Sequence, residues 1–253
     1  MIARTLLALG MAMVSVVGPA HATDCKGTLY LTIDTGNMAY AEAIAATLKR
    51  HRVPATFFLA NERTLRGDYA LDPSWRDFWT ALVAEGHAFG SHTWRHGKWV
   101  RDNTDGSVIY RPMFPPSGDE RLDAAGVCTE LQRVDDVFRS YTGRPLDPIW
   151  RSPGGKTLPN VLAAAQACGY THVGWSSAGF LGDELPSETY PNLMLVDRAV
   201  KNLRSGDIIL MHMGIWSRKD PLQPMLDDLL TRLDARGFCF APLPATGFPT
   251  KAK

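Results

Sequence analysis

The sequence predicts an α/β fold, a distorted (β/α)7–8 barrel with a hairpin lid inserted after the third strand. The first observation is that short apolar, β-rich runs alternate with amphipathic helical segments. Such alternation implies parallel strands joined by right-handed crossovers. The second is that about seven such units fill the chain, which suits a barrel better than an open doubly wound sheet. The third is that the sequence has no GxGxxG or GxxxxGK[ST] loop, so a nucleotide-binding sheet is not indicated.

Composition supports one large globular domain and excludes several protein classes. The 253 residues are 45% hydrophobic and 21% charged, which rules out disorder, collagen and coiled coil. The mean hydropathy is slightly negative, which excludes a multispan membrane protein. The formal net charge of +1 argues against nucleic acid as a partner, because proteins that bind it normally carry a basic excess.

The strands are predicted from short apolar runs that are rich in β-branched and aromatic residues. The first run leads directly into Asp34. The run at 207–211 is almost entirely apolar, as expected for a strand buried on both faces. The predicted strands cover residues 28–33, 55–59, 87–90, 148–150, 170–173, 207–211 and 238–242.

The helices are predicted from apolar residues that recur with helical period. In the first helix, Ala41, Ile44 and Leu48 form one stripe, while Gly86 and Gly169 end the second and fourth helices. The predicted helices cover residues 38–51, 75–85, 122–141, 159–168, 193–204 and 221–236.

The segment at 97–119 breaks this alternation, because it lacks helical period and is rich in Gly, Pro and aromatic residues. Asp105-Gly106 lies between the runs 98–101 and 107–111, and it is a good hairpin-turn signal. The segment follows the carboxyl end of a strand, where barrel enzymes build their active sites. We therefore interpret it as a hairpin lid beside the active site. The alternative is a surface excursion with no role.

Residues 1–22 have the composition of a secretory signal peptide. Arg4 is the sole charge before Asp24, and the apolar run at 6–17 is too short to span a bilayer comfortably. The run is followed by a small-x-small cleavage site that ends at Ala22. We expect cleavage near Ala22 and a secreted or periplasmic domain over residues 23–253, with no membrane span in the mature chain. The alternative is a retained membrane anchor.

The four cysteines are Cys25, Cys128, Cys168 and Cys239. They show no CxxC spacing, so a zinc knuckle or a thioredoxin-type site is not indicated. An even count in a secreted protein allows two disulfides, in three possible pairings. Four buried free thiols are the alternative, because free cysteine packs well as a small hydrophobe.

Polar side chains follow four of the predicted strands at the points where these strands end. Asp34 follows the first strand, His92 and His96 follow the third, Arg151 the fourth and His212 the sixth. In a parallel barrel the carboxyl ends of all strands share one rim, where the chemistry is placed. We therefore expect these five side chains to lie close together.

The spacing of His92 and His96 points to a metal site. If the turn between them is helical, their Cβ atoms lie about 6 Å apart on one face, which suits two ligands of one zinc ion. Two surface histidines without a metal are the alternative. Asp34 is either a metal ligand or the group that takes a proton from metal-bound water, and a helix N-cap is its alternative.

The remaining rim residues suit amide or ester hydrolysis. Arg151 carries a permanently charged fork that is expected to hold Asp34 as an ionised base. Gly154 allows its backbone N–H to approach an oxyanion closely. His212 is suited to act as a general acid, with a buried core histidine as the alternative.

Taken together, these motifs resemble those of the polysaccharide deacetylase family, also called the NodB-homology domain or carbohydrate esterase family four. The resemblance spans residues 27–243, and it implies a distorted barrel that removes N-acetyl, and in some members O-acetyl, groups from sugars. It also implies a catalytic domain over 23–253, an Asp base, a His acid, an orienting Arg and a metal held by two His. The motifs are Asp34-Thr35-Gly36, His92-x-x-x-His96, Arg151-x-Pro-x-Gly155 and Leu210-x-His212.

Two positions depart from the family pattern. Thr35 stands where the family has a second, metal-ligating aspartate, and Ala178 stands near an aspartate that tunes the catalytic histidine. A neutral hydroxyl is a poor zinc ligand. Three outcomes follow: Asp34 ligates the metal, two histidines and water hold it, or no metal is bound. The expected cofactor is a divalent metal, zinc first, with cobalt, nickel or none as alternatives because of Thr35.

Aromatic residues are candidates for binding the sugar. Trp94 and Trp99 lie in or beside the predicted lid. Trp175 lies in the motif near Ala178 that departs from the family pattern, and Phe180 is expected to form an apolar wall. Aromatic faces suit stacking on sugar rings, although packing of the hairpin against the barrel is an equal alternative. The expected partner is an N-acetylated glycan of the cell wall or an exported polysaccharide, and we infer no protein partner.

Two other functions remain open at this point. One is a non-catalytic glycan-binding protein on the same scaffold, which the losses at Thr35 and Ala178 favour. Retention of Asp34, Arg151 and His212 argues against it, because binding alone needs neither an acid nor a base. The other is a metal-independent amidase that acts on a small C–N substrate.

The barrel also suggests how the cysteines pair. Cys25 precedes the first strand and Cys239 lies in the last. A sheet that closes on itself brings these strands together, which favours Cys25–Cys239 and leaves Cys128–Cys168.

Overall fold

The computed structural model describes residues 25–246, so the predicted signal peptide at 1–22 lies outside the described residues. The strands are β1 (Gly27–Asp34), β2 (Thr56–Leu59), β3 (Ala88–Ser91), β4 (Lys98–Asp102), β5 (Val108–Arg111), β6 (Glu120–Leu122), β7 (Ile149–Trp150), β8 (Thr171–His172), β9 (Ile208–His212) and β10 (Phe238–Phe240). The helices are α1 (Ala41–His51), α2 (Arg76–Ala84), α3 (Ala124–Thr142), α4 (Pro159–Ala167), α5 (Asn192–Asn202) and α6 (Leu226–Ala235).

The main sheet is parallel and curled, which confirms the predicted distorted barrel. Its strand order is β10-β1-β2-β3-β7-β8, and β9 also pairs with β1. Beyond β8 the chain returns to β9, where a parallel bridge joins Phe180 to Leu210 and Ser176 N–H donates to the carbonyl of Ile208. Because the strands run the same way, the segments that follow β1, β2, β3, β7 and β9 all leave from one rim.

An aromatic layer packs the sheet against α2 and α3. The ring of Phe57 on β2 lies 5.7 Å from that of Phe89 on β3 and 6.5 Å from Trp79 on α2. Phe89 in turn lies 4.7 Å from Phe138 on α3. All four side chains are buried, and rings of this size dominate core energetics through the area they remove from water.

Two helices, α1 and α6, begin at least three residues later than the apolar period predicts. α1 begins at Ala41 rather than at residue 38, because Met38 adopts a left-handed backbone conformation with φ of 59°. The segment before α6 contains a 3-10 turn over Gln223–Met225, and the α-helix begins at Leu226. In both cases the apolar residues Met38 and Leu222 are buried, but the backbone is not α-helical.

The lid is a three-stranded antiparallel sheet in the order β4-β5-β6, inserted after β3 as predicted. The hairpin turn at Asp105-Gly106 is correct, and Gly106 has φ of 85°. The third strand, β6, was missed because its three residues are too few to show an alternating pattern. Gly97 begins the lid next to Tyr110, whose ring atoms lie 2.2 Å from where a Cβ would be, so glycine is required there.

Both predicted disulfides are confirmed. Cys25 and Cys239 are bonded with a Cα–Cα distance of 5.6 Å, beside the pairing of β1 with β10. Cys128 on α3 and Cys168 after α4 are bonded with a Cα–Cα distance of 6.0 Å. Within the described range, none of the helices is both long enough and apolar enough to cross a bilayer.

The two disulfides are expected to stabilise the fold unequally. Cys25–Cys239 closes a loop with a sequence separation of 214, against 40 for Cys128–Cys168. Loop-closure entropy then predicts that paired serine substitutions lower the free energy of unfolding by about 5 and about 4 kcal/mol respectively. Urea unfolding of the two double variants measures this. A larger loss for Cys128–Cys168 would mean that folded-state contacts, rather than the unfolded chain, set the difference.

Candidate active site

The rim of the barrel holds a cavity of about 340 Å³ beside the lid. All of the predicted acid, base and metal-binding side chains line it: Asp34, His92, His96 and His212. Lys98, Met113 and Phe114 of the lid segment complete one wall. The strand-end rule therefore brings together residues that lie far apart in the chain.

Arg151 fixes the position of Asp34. Arg151 is 0% exposed, and its Nη1 donates to Asp34 Oδ1 at 2.9 Å and to Thr32 Oγ1 at 2.8 Å. Its Nη2 and Nε donate to the carbonyls of Gly174 at 2.9 Å and Val173 at 3.2 Å. All three nitrogens of the guanidinium thus donate hydrogen bonds, and one of them binds one carboxylate oxygen of Asp34.

The pKa of Asp34 lies below its ordinary value. Burial by itself raises this pKa, but electrostatic interactions with His92, Arg151 and His212 and the hydrogen bond from Arg151 lower it further than burial raises it. Asp34 is therefore a carboxylate at neutral pH, as a proton acceptor must be.

His92 is oriented as metal-binding histidines commonly are. Its Nδ1 lies 2.9 Å from the carbonyl oxygen of Arg151, so Nδ1 carries the hydrogen and Nε2 is left with a free lone pair. Nε2 lies 3.4 Å from Asp34 Oδ2. Burial lowers the pKa of His92 to about 4, so the ring is neutral near pH 7.

His96 comes close to His92 by a route other than the predicted helical turn. The residues between them are not helical, and Thr93 and His96 have φ of 66° and 47°. This left-handed backbone is uncommon outside glycine and places the two ring centroids 4.9 Å apart. His96 Nδ1 is buried and has no hydrogen-bond partner among the described residues.

Glu62 is a cavity residue that the sequence analysis missed. It lies three residues beyond the end of β2 and is 5% exposed. Its Oε1 accepts hydrogen bonds from Thr35 Oγ1 at 2.5 Å and from Gly36 N at 2.8 Å, and its Oε2 lies 3.8 Å from His96 Nδ1. Its position in the loop after β2 is a weak sequence signal, because Glu62 does not directly follow the strand.

His212 is paired with Asp183, not with an aspartate near Ala178. The Nδ1 of His212 lies 3.1 Å from Asp183 Oδ1, and Asp183 also accepts the His212 backbone N–H and Gln223 Nε2. The expectation of a loss at Ala178 was wrong because the loose spacing of this motif hid Asp183, five residues later. Ala178 itself lies in a 3-10 turn packed against the core.

Asp183 sets the charge of His212. Burial by itself lowers the pKa of His212, but the charge of Asp183 and the hydrogen bond to it, with smaller contributions from Asp34 and Glu184, raise this pKa to about 9. His212 is therefore protonated at neutral pH, with Nε2 as the ring nitrogen not bonded to Asp183. A protonated imidazole in the cavity is suited to donate a proton.

Of the four predicted aromatic residues, Trp175 lines the cavity. Phe180 stacks on it with ring centroids 6.4 Å apart. Trp99 is 1% exposed and packs on Tyr110 and Trp150, and neither it nor Trp94 is among the described residues that line the cavity. For Trp99, therefore, the alternative interpretation is correct: its side chain packs the hairpin against the barrel.

Two further residues, Gly154 and Trp216, also line the cavity. Gly154 lines the cavity with φ of 63°, as expected for a site where backbone approaches a substrate. Trp216, in the loop after β9, also lines the cavity and is 55% exposed. It was not predicted, because loop residues beyond His212 carry no periodic pattern.

The donor atoms of this cavity fit a divalent metal. His92 Nε2 has a free lone pair, His96 Nδ1 is buried without a hydrogen-bond partner, and Glu62 Oε2 faces His96. Two imidazoles and a carboxylate are a common zinc donor set. Among residues 25–246, however, no three His, Cys, Asp or Glu side chains already stand in a closed coordinating arrangement.

Comparison with known proteins identifies relatives of this chain. The polysaccharide deacetylase family model matches residues 21–173. A peptidoglycan-N-acetylglucosamine deacetylase of Bacillus cereus is 27% identical over 213 residues, covering 83% of each chain. A chitooligosaccharide deacetylase of Bradyrhizobium sp. is 27% identical over 235 residues, covering 87% of this chain and 92% of that one.

A solved structure shares the fold. The family 4 carbohydrate esterase of Streptomyces lividans, determined with acetate, superposes with a TM-score of 0.63 at 20% identity. The match covers 87% of this chain and 95% of that chain.

Asp183→Asn is expected to lower the pKa of His212, because it removes the charge that outweighs burial. With Asp183 present, the folded state binds this proton more tightly than the unfolded state. The resulting stability is complete below about pH 6.5, the ordinary histidine value, and is lost as the pH rises through about 9. The substitution should therefore destabilise the fold more at about pH 6 than at about pH 10.

Denaturant unfolding at the two pH values, with NMR titration of the His212 ring, measures this effect. Asp234→Asn, which changes an exposed carboxylate on α6, is the control and should show neither change. An unchanged His212 titration in Asp183→Asn would contradict the assignment.

Proposed function

The chain belongs to the polysaccharide deacetylase family, whose members are hydrolases that act on acetylated sugars, and we propose that it removes N-acetyl groups from a cell-wall or exported polysaccharide. O-acetyl groups are the second substrate class of this proposal. The observation that carries it is one cavity lined by two groups whose pKa values are shifted in opposite directions. The pKa of Asp34 is lowered and the pKa of His212 is raised to about 9, so at one pH the first can accept a proton and the second can donate one.

The proposed reaction uses Asp34 as the base. Asp34 takes a proton from the attacking water, whose oxygen bonds to the acetyl carbon. Arg151 keeps the carboxylate ionised and oriented, because it holds one oxygen at 2.9 Å, while the other oxygen lies 3.4 Å from His92 Nε2. The backbone N–H of Gly154 is proposed to support the oxyanion of the tetrahedral intermediate.

His212 completes the reaction as the acid. When the bond between the acetyl carbon and the sugar nitrogen breaks, His212 protonates the leaving amine, so that acetate and a free amine result. Asp183 positions the ring and holds its proton until this step. For an O-acetyl group, the same transfer would go to the leaving hydroxyl.

A divalent metal is part of the proposal, with zinc first and cobalt or nickel as alternatives. His92 and His96 are the residues that would hold it. When bound, such an ion polarises the acetyl carbonyl and makes a bound water more acidic.

The substrate is proposed to lie along the aromatic side of the cavity. Trp175 and the exposed Trp216 offer ring faces to a sugar, and Gly154 lies on the same cavity wall. The two disulfides fit an oxidising compartment, in line with a secreted or periplasmic enzyme released by cleavage near Ala22. No nucleic acid or protein partner is part of this proposal.

Acetate release from a panel of N-acetylated glycans tests the activity. Asp34→Asn and His212→Ala should each lower kcat at least about 100-fold, because each removes one proton-transfer group, while circular dichroism shows a retained fold. Asp234→Asn, an exposed surface change, should leave the rate unchanged. Near-native rates in both site variants would overturn the assigned roles.

The same panel separates the alternatives. Glycan binding without acetate release would indicate a binding protein. Full activity after complete removal of metal by a chelator would indicate a metal-independent amidase, which the neutral Thr35 favours.

A further inference from the structure

We infer that Glu62 supplies the carboxylate that Thr35 lacks, and that Glu62, His92 and His96 together form the divalent-cation site of this chain. Thr35 then acts as a positioning residue for Glu62. This inference rests on the proposed function, since the metal belongs to that proposal. It adds a ligand from the loop after β2, whereas Asp34 lies on β1.

The topology delivers Glu62 to the right place. β2 pairs with β1 on one side and with β3 on the other, so the loop after β2 leaves between Thr35 and the histidine turn. The backbone N–H of Asn61 donates to the carbonyl of Trp94 at 3.0 Å, which ties this loop to the turn between His92 and His96. Glu62 follows directly, and its carbonyl accepts the N–H of Ala70 at 2.9 Å.

One oxygen of Glu62 is held by protein donors. Oε1 accepts the hydroxyl hydrogen of Thr35 and the N–H of Gly36. The Thr35 oxygen itself lies 3.3 Å from the N–H of Ala60, so this hydroxyl bridges β2 to the carboxylate. Gly36 cannot carry a side chain, since a Cβ there would lie 2.2 Å from the carbonyl oxygen of Gly214.

The other oxygen is left for a cation. Among the described residues no hydrogen bond is donated to Oε2, and His96 Nδ1 lies 3.8 Å away, itself without a hydrogen-bond partner. This carboxylate oxygen and the buried ring nitrogen of His96 are too far apart for a hydrogen bond. An ion that accepts lone pairs from both would satisfy both.

The charge of Glu62 also calls for a cation. In the described part of the chain, no lysine or arginine nitrogen lies within 4.0 Å of Glu62, whereas the neighbouring Asp34 is paired with Arg151. A buried charge without a partner is costly, and buried charges in proteins are usually paired or coordinate metals. Glu62 is thus a buried carboxylate of the cavity that no lysine or arginine among the described residues pairs with.

This arrangement separates the roles of the two carboxylates. Asp34 gives one oxygen to Arg151, and its other oxygen stays available to accept a proton. A carboxylate coordinated to a cation is a poor proton acceptor, so a base that is spared this task is a better base. The replacement of an aspartate by Thr35 is therefore a relocation of the negative charge to Glu62, not its loss.

The test is zinc affinity, measured on the full chain by competition with a chromophoric chelator. Glu62→Gln should weaken zinc binding at least about 100-fold, because the amide keeps the shape but loses the charge and the ligand oxygen. Thr35→Val should weaken it about 10-fold, because the hydroxyl acts through Glu62. The double variant Thr35→Asp with Glu62→Gln should recover most of the affinity, because it returns a carboxylate to residue 35.

Asp135→Asn is the control. The Asp135 side chain on α3 is 13% exposed and binds Arg139 and the backbone N–H of Leu146, away from the cavity and from the turn that carries His92 and His96. The affinity of this variant for zinc should equal that of the unmodified chain. The cobalt-substituted protein gives a second measurement, since its visible spectrum should change in Glu62→Gln and not in Asp135→Asn.

The outcomes separate this inference from the proposed function. Zinc affinity that is unchanged in Glu62→Gln, or an unmodified chain that binds no zinc, overturns the inference even if acetate is released. Zinc binding that depends on Glu62, in a chain that releases acetate from no glycan tested, supports the inference while the proposed function fails.

Discussion

The buried side chain of Arg151 is the constraint on which the rest of the site depends. It donates to Asp34 and Thr32 on β1 and to the carbonyls of Val173 and Gly174 after β8, while its own carbonyl orients His92. A buried charge of this kind adds little net stability, because the cost of removing it from water offsets the attraction. Its contribution is to position, since this one residue orients Asp34, the proposed base, and His92, the proposed metal ligand, and joins two strand ends.

The proposed base and the proposed acid belong to two separate ion pairs. Asp34 is a carboxylate stabilised by cationic neighbours, and His212 is a cation stabilised by Asp183. The strands that carry them, β1 and β9, pair in register with Asp34 opposite His212. Hydrogen bonds from one backbone to the other therefore set the separation of the two groups, and neither needs a flexible loop to find its place.

Much of this could be predicted from the sequence, because apolar strands that end in Asp34, His92, Arg151 and His212 mark one rim of a parallel barrel. The strand-end rule identifies residues next to a strand, whereas Glu62 and Asp183 reach the cavity through the course of their loops. The sequence pattern also could not show which aromatic residues are buried and which line the cavity. Trp99 packs in the core of the lid region, while the loop residue Trp216 is exposed at the cavity.

The bond between Cys25 and Cys239 places the two ends of the described domain side by side, with a Cα–Cα distance of 5.6 Å. Proteins whose ends meet in this way tolerate circular permutation and insertion into a host chain. The tip of the lid hairpin at Asp105-Gly106 is an exposed turn where a new start and end can be opened. The same closure of the barrel that brings its first and last strands together thus makes the domain a portable unit for fusion to carbohydrate-binding modules.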